Sequence, residues 1–201
     1  MSNDISILQA DAIELLKKLI ATPSFSKEED NSSALTRTFL EAHAVKTEQH
    51  LYNIWAKNKY FDPVKPTILL NSHHDTVKPN KGYSLDPFSP IEKDGKLFGL
   101  GSNDAGGSLV SLIAAFLYFH DKENLKYNFI LAATAEEEIS GFNGIEALLL
   151  QLGKIDCAIV GEPTQMQMAV AEKGLMVLDC LSSGRAGHAA REEGDMRSIR
   201  L

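Results

Sequence analysis

Thr67-Ile68-Leu69-Leu70-Asn71-Ser72-His73-His74-Asp75-Thr76-Val77 is the stretch on which the reading of this chain turns. A short apolar run, the length of one buried strand, ends in two imidazoles and a carboxylate. Two later stretches share that layout. The apolar run over 127–133 leads into Thr134-Ala135-Glu136-Glu137-Glu138, and the run over 157–160 leads into Gly161-Glu162-Pro163-Thr164. A fourth cluster, Gly101-Ser102-Asn103-Asp104, opens an apolar segment instead. One imidazole and several carboxylates converging on one rim of a sheet imply a hydrolytic metal site, with zinc the leading candidate.

Working outward from these strands, Ile5, Leu8, Ala12, Leu15, Leu16 and Leu19 recur at helical spacing, so a helix is predicted over 4–20, ended by Pro23. Ser26 followed by Glu29 has the form of a capping box, which predicts a second helix over 27–42. Extended segments follow over 46–51, 54–57 and 67–70. Residues 77–97 are rich in Pro, Gly, Asn and Asp and read as one long ordered loop. Residues 104–120 are apolar nearly all round and predict a buried helix. A strand over 127–133, a helix over 142–150 and a short buried strand over 157–160 complete the series.

Strands alternating with helices predict an α/β fold, with a largely parallel sheet flanked by helices. Sheets of this kind bind ligands beyond the carboxyl ends of their strands, where three of the four clusters fall. After Glu162 the texture changes: 166–171 and 175–181 look like consecutive strands of a second unit. The expected division is a catalytic metal-binding domain over 1–171 and the start of an α+β lid or dimerisation domain over 172–201.

Composition sets limits on the partners. The formal charge of −7 and the lack of a basic stripe argue against a nucleic-acid partner. No run approaches the roughly 18 apolar residues that a membrane span needs. Met1-Ser2-Asn3-Asp4 lacks the basic-then-apolar layout of a secretory signal. Cys157 and Cys180 lie in apolar runs and are expected as buried, unpaired thiols in a reducing compartment, which places the protein in the cytoplasm.

Each cluster has a plain reading beside the chemical one. Asp75 lies two positions after His73 and, in extended chain, on the same side, so it could orient the imidazole; a surface His-His-Asp turn is the alternative. Asp104 could bridge two ions or simply cap a helix. Three adjacent acids at Glu136, Glu137 and Glu138 repel one another unless a cation is near; one could bind metal while a neighbour takes a proton from water. Glu162 is held extended by Pro163 and is otherwise a loop carboxylate. His188 lies in a glycine-flanked turn.

Taken in order, these residues resemble the co-catalytic di-zinc amidohydrolase and peptidase family that includes acetylornithine deacetylase, succinyl-diaminopimelate desuccinylase, aminoacylase and carboxypeptidase G-type enzymes. His73, Asp75 and Val77 meet its His-x-Asp-x-Val element, and Asp104 its Gly-x-x-Asp element. Glu137-Glu138 meet the paired acids, Glu162 the next acidic ligand, and Gly187-His188 the Gly-His of the lid. The Gly-Glu-Pro-Thr form looks most like the acetylornithine deacetylase branch, in arginine biosynthesis. The resemblance implies a zinc-aminopeptidase-like catalytic domain holding two Zn2+ ions, with Co2+ or Mn2+ as substitutes. His73 and Glu162 would hold one ion and Glu138 the other, with Asp104 bridging and Asp75 orienting His73. Glu137 would be the general base that activates water for attack on the amide of a small N-acyl amino acid. In dimeric members the lid histidine, here His188, stabilises the oxyanion in the partner's site, so a homodimer is implied for the full-length form.

Members of that family run well beyond 201 residues and return to the catalytic domain to supply a histidine as the last ligand of the second zinc. The pattern also departs after Asp195, in Met196-Arg197-Ser198-Ile199-Arg200-Leu201, so a truncated or frameshifted product of low activity is expected. A dipeptidase or aminoacylase of the same family and a non-catalytic metal-binding remnant are the alternatives. A dinucleotide-binding loop at Gly99-x-Gly101 fails, because the position of the third glycine is Asp104, an anion that would face a pyrophosphate.

Overall fold

A computed structural model describes residues 4–171, 173, 174 and 176. The chain divides into two compact units, 1–166 and 167–201. The first carries four α-helices and seven strands: α1 (Ile5–Ile20), α2 (Asp30–Ala42), β1 (Thr47–His50), β2 (Asn53–Lys57), β3 (Thr67–His73), β4 (Ile91–Lys93), β5 (Lys96–Phe98), α3 (Gly107–His120), β6 (Asn128–Thr134), α4 (Ile145–Leu152) and β7 (Cys157–Val160). No described helix is long and apolar enough to cross a membrane.

Five strands form one sheet in the order β1-β2-β6-β3-β7. β3 runs parallel to both β6 and β7, while β2 runs antiparallel to β6 and β1. Four of the five strands therefore share one direction, as expected for an α/β sheet. Successive side chains on a strand face opposite ways, and the packing follows that period. Ile54, Ala56, Leu70, Leu131 and Ala133 pack with α1, α2 and α3 on one face. Trp55, Leu69, Ile130 and Ala132 pack with Leu148 and Leu152 of α4 on the other.

Helix α1 begins where Asp4 accepts the Ser6 amide at 2.9 Å, an N-cap bond that satisfies one orphan donor. Its buried stripe is Leu8, Ala12, Leu15, Leu16 and Ile20, while Ile5 is exposed. Helix α2 starts at Asp30, three residues later than the capping-box reading, and no side chain caps it. Ser26 and Glu29 are both engaged elsewhere. Helix α3 starts at Gly107, after a π-type turn over Ser102–Gly106, so Asp104 caps nothing.

The long loop contains a small hairpin. β4 and β5 pair through Lys93↔Lys96, leaving Asp94 and Gly95 as a two-residue turn with φ of 52° and 71°. Positive φ at both central residues is the type I′ signature, and Asp-Gly suits it.

Three expectations are corrected. β7 is exposed along its whole length, because it is the outermost strand and no described helix covers it. Cys157 is accordingly an exposed free thiol, and Cys180 lies outside the described residues. Residues 166–171 form no strand. Apart from Met176, the segment 175–181 lies outside the described residues, as does His188.

Candidate metal centre

The parallel neighbours β6, β3 and β7 end side by side, at Thr134, His73 and Val160. Their carboxyl ends deliver three of the acidic clusters to one rim. His73 is the last residue of β3, paired with Thr134 of β6. Gly161 follows β7 and is tied to β3 twice: its amide donates to the Asn71 carbonyl at 2.8 Å, and its carbonyl accepts from Ser72 Oγ at 2.8 Å. That anchorage sets the starting direction of Glu162. The fourth cluster arrives through Gly101, whose φ of 74° lets the chain turn back beneath Thr76.

His73 is the hub. Its side chain is 1% exposed, and its Nε2 lies 3.2 Å from Asp104 Oδ1, 3.7 Å from Glu137 Oε2 and 3.9 Å from Glu162 Oε2. Ligand atoms of His73, Asp104 and Glu138 all lie within 4.8 Å of one another. The imidazole thus forms a buried floor, while Asp104 and Glu137, at 57% and 53% exposure, form an open rim. Of the site residues expected from the sequence, His73, Asp104, Glu137, Glu138 and Glu162 meet here and Asp75 backs the imidazole. The donor set, one imidazole and four carboxylates, fits a divalent cation.

Asp75 does more than face the imidazole. His73 Nδ1 lies 3.0 Å from the Asp75 carbonyl and 3.3 Å from its carboxylate, with the carbonyl making the hydrogen bond. Either acceptor fixes the proton on Nδ1 and leaves Nε2 facing the acids. The Asp75 carboxylate itself takes the Glu137 amide on Oδ1 at 3.1 Å, and on Oδ2 the Glu138 amide at 3.2 Å and the Ser26 hydroxyl at 2.7 Å.

The three consecutive glutamates separate. Glu136 has left-handed backbone, and its buried carboxylate turns away to accept from Asn143 Nδ2 at 2.9 Å. Gly141 lies against that carboxylate, where a Cβ would clash. Only Glu137 and Glu138 reach the rim. His74, which the sequence left uninterpreted, is a core residue with Nε2 on the Tyr52 carbonyl and Nδ1 on Ser32. Burial pushes its ring down to about 4, so it stays neutral.

The electrostatics are those of an acid cluster built around a cation. Burial raises the Glu138 and Glu162 carboxyls, and the neighbouring Asp104 and Glu137 charges add to it. Burial works against a charged His73, but Asp75, Glu162 and Glu137 together outweigh it, and the ring is lifted to about 9. Near neutral pH the imidazole is therefore protonated when no ion is bound, and it must lose that proton to offer Nε2. Binding of the divalent ion that His73 holds is expected to release about one proton, fading as pH rises through about 9. Calorimetry in buffers of different ionisation enthalpy measures this directly; no buffer dependence would contradict it.

Cavity size alone does not mark the site. A cavity of about 340 Å³ opens beside Asp104 and Glu138, walled by Thr76, Val77, Tyr83 and Leu100. A larger one of about 760 Å³, lined by Leu8, His43, Lys57, Phe61 and Leu117, contains none of the clustered acids.

The sequence profile of peptidase family M20/M25/M40 matches residues 69–181, more than half of the chain. The chain belongs to this family. That span takes in most of β3 with His73, then Asp75, the Asp104 turn, the paired glutamates and Glu162. Among curated proteins, acetylornithine deacetylase of Klebsiella pneumoniae (strain 342) is 31% identical over 204 residues, covering 94% of this chain and 52% of that protein. The chain therefore spans about half the length of the curated relative it matches. Among solved structures, the M20 family metallo-carboxypeptidase Sso-CP2 of Sulfolobus solfataricus superposes with a TM-score of 0.60 at 25% identity, over 75% of this chain and 37% of that one. The YXEP protein of Bacillus subtilis, described as a dinuclear metal binding peptidase of the M20 family, gives a TM-score of 0.59 at 17% identity, over 77% of this chain and 43% of that one. This second likeness bears on the fold only.

Proposed function

We propose that this chain forms the metal-holding part of an amidohydrolase that cleaves N-acyl amino acids with water, N-acetylornithine foremost. The observation that carries the reading is the meeting of His73, Asp104 and Glu138 ligand atoms within 4.8 Å, with Glu137 and Glu162 beside the same imidazole nitrogen. The substrate preference draws its support from the 31% identity to an acetylornithine deacetylase.

Bound zinc would polarise the amide carbonyl and make a water acidic enough to attack near neutral pH. His73 Nε2 and Glu162 would hold one ion, Glu138 a second, and Asp104 both. Asp75 keeps the proton of His73 on Nδ1. Glu137, on the open rim, takes the proton of the attacking water and returns it to the leaving amine. His188, in the lid unit over 172–201, would donate to the oxyanion across a homodimer.

Ligand count predicts unequal ion affinities. The first ion has His73, Glu162 and Asp104; the second has Glu138 and Asp104. Titration of this chain with zinc should show one equivalent binding more tightly than the other, and N-acetylornithine should be turned over slowly. Two equally tight equivalents with rapid turnover would refute the assignment. The solved relatives include peptidases, so a dipeptide substrate is the second reading, and a panel of N-acyl amino acids and dipeptides separates the two. Metal uptake with no hydrolysis of any of them would identify a binding remnant.

A further inference from the structure

Beyond Thr134 the chain leaves the sheet, and its next four amides have no strand partner. Each is taken by a side-chain oxygen from another part of the fold. Ala135 donates to Asn53 Oδ1 at 3.0 Å and Glu136 to Glu29 Oε1 at 3.0 Å. Glu137 and Glu138 donate to the two Asp75 oxygens at 3.1 and 3.2 Å. Asn53, Glu29 and Asp75 each have 0% exposure. Buried amides of this kind must find acceptors, so the path of the chain here is set by where those oxygens sit.

We propose that Glu29 is a positioning residue for the metal centre, acting through the Glu136 amide to aim the Glu137 and Glu138 side chains at His73. This inference rests on the metal-centre reading given above. Glu136 sits at φ 55°, ψ 22°, a left-handed conformation that costs an L-residue about 1–2 kcal/mol. Three contacts hold it there: Glu29 on its amide, Asn143 on its carboxylate, and the Gly141 amide on its carbonyl at 2.8 Å. Because of that turn, one glutamate of three points away from the rim while the next two reach it.

The place of Glu29 in the fold supports this role. It stands at the start of α2 but caps nothing with its side chain. Three residues earlier, Ser26 Oγ donates to Asp75 Oδ2. The segment between Pro23 and Asp30 is itself fastened to the site, since the Thr76 amide donates to the Ser24 carbonyl at 2.8 Å and Phe25 bridges Thr76. Residues at the N-terminal side of the fold therefore brace both walls of the metal centre. Glu29 Oε2 has no hydrogen-bond partner among the described residues, so Oε1 is the atom that does the positioning.

The test compares Glu29→Met, which keeps the volume and removes the acceptor, with Glu29→Gln, which keeps Oε1. Two readouts are taken: hydrogen exchange at the Glu136 amide in metal-free protein by NMR, and Co2+ affinity with its visible absorption spectrum. The Met variant should exchange Glu136 at least about tenfold faster, bind Co2+ about tenfold more weakly and shift the spectrum. The Gln variant should restore all three. Should the Met variant fail to fold, Glu29→Asp, whose oxygen falls short of the amide, is judged by the same readings. A folded Met or Asp variant with unchanged Co2+ affinity and spectrum overturns the proposal, as does a Gln variant no better than Met. If the unaltered chain took up no Co2+, the metal-centre reading would fall, and amide exchange would still decide whether Glu29 sets the conformation of 136–138.

Discussion

Asp75→Ala should weaken divalent-ion binding about 10–100-fold and lower folding stability by about 3–5 kcal/mol. Three donors lose their acceptor at once: the amides of Glu137 and Glu138 and the hydroxyl of Ser26. A fully buried donor left unsatisfied costs about 1–3 kcal/mol; these three are partly buried, and water recovers part of the sum. The loss of ion affinity follows from the same event, because the two glutamates and the His73 ring are no longer aimed. Urea unfolding of the metal-free protein and a metal titration measure the two effects. A stability change under about 1 kcal/mol would show that Asp75 does not brace the site. The pH dependence has a definite sign. Burial raises the Asp75 carboxyl, yet its bonds to His73, Ser26 and the Glu137 amide leave it below the ordinary carboxylate value. Its contribution is therefore present above that ordinary value and lost as pH falls through the lowered one. The Ala variant should lose stability less steeply in acid.

Glu137→Gln is expected to lower amide hydrolysis by about 10²–10⁴ while leaving metal affinity within a few-fold. Gln keeps the size of the side chain, and the backbone at this position is held by Asp75 rather than by the side chain itself. The change therefore removes a proton acceptor without moving the turn. Its carboxylate is 53% exposed, so an incoming water and substrate can both reach it. The comparison belongs in a chain of the length of the curated relative, since this one spans 52% of it. If metal affinity fell in step with activity, Glu137 would be a ligand and the base would have to be sought elsewhere.

Much of this architecture could be read from local pattern. Strands β3 and β6 were visible as apolar runs because burial on both faces removes polar residues from them, and β7 has the same composition. The acids after each run marked the carboxyl ends of the strands, and the parallel order of the sheet brings those ends together. What local pattern missed falls into two kinds. The first is turn chemistry passed over: Asp94-Gly95 between short polar segments is a hairpin signal hidden in a loop. The second is long-range bonding. Ser26 and Glu29 have the spacing of a capping box, but each side chain instead bonds a group 49 or 107 positions away. Spacing along a helix cannot reveal such partners. The same applies to Glu136, one of three identical neighbours, distinguished only by a left-handed backbone and Asn143. The exposure of β7 had no local signal either, since apolar composition reports what a strand could bury against and not whether a neighbour is there.

His73 closes a run of seven paired residues between β3 and β6, from Thr67↔Asn128 to His73↔Thr134. Side chains alternate faces along that run, so the imidazole's aim is a matter of parity. The connection over 58–66 could grow or shrink and leave the ring where it is. One extra residue inside 67–73 would swing it to the opposite side of the sheet, among the apolar contacts of α1 and α3, and strand the acids without their nitrogen. Insertion tolerance mapped along this chain would thus drop sharply over those seven positions, even where individual side chains there can be exchanged.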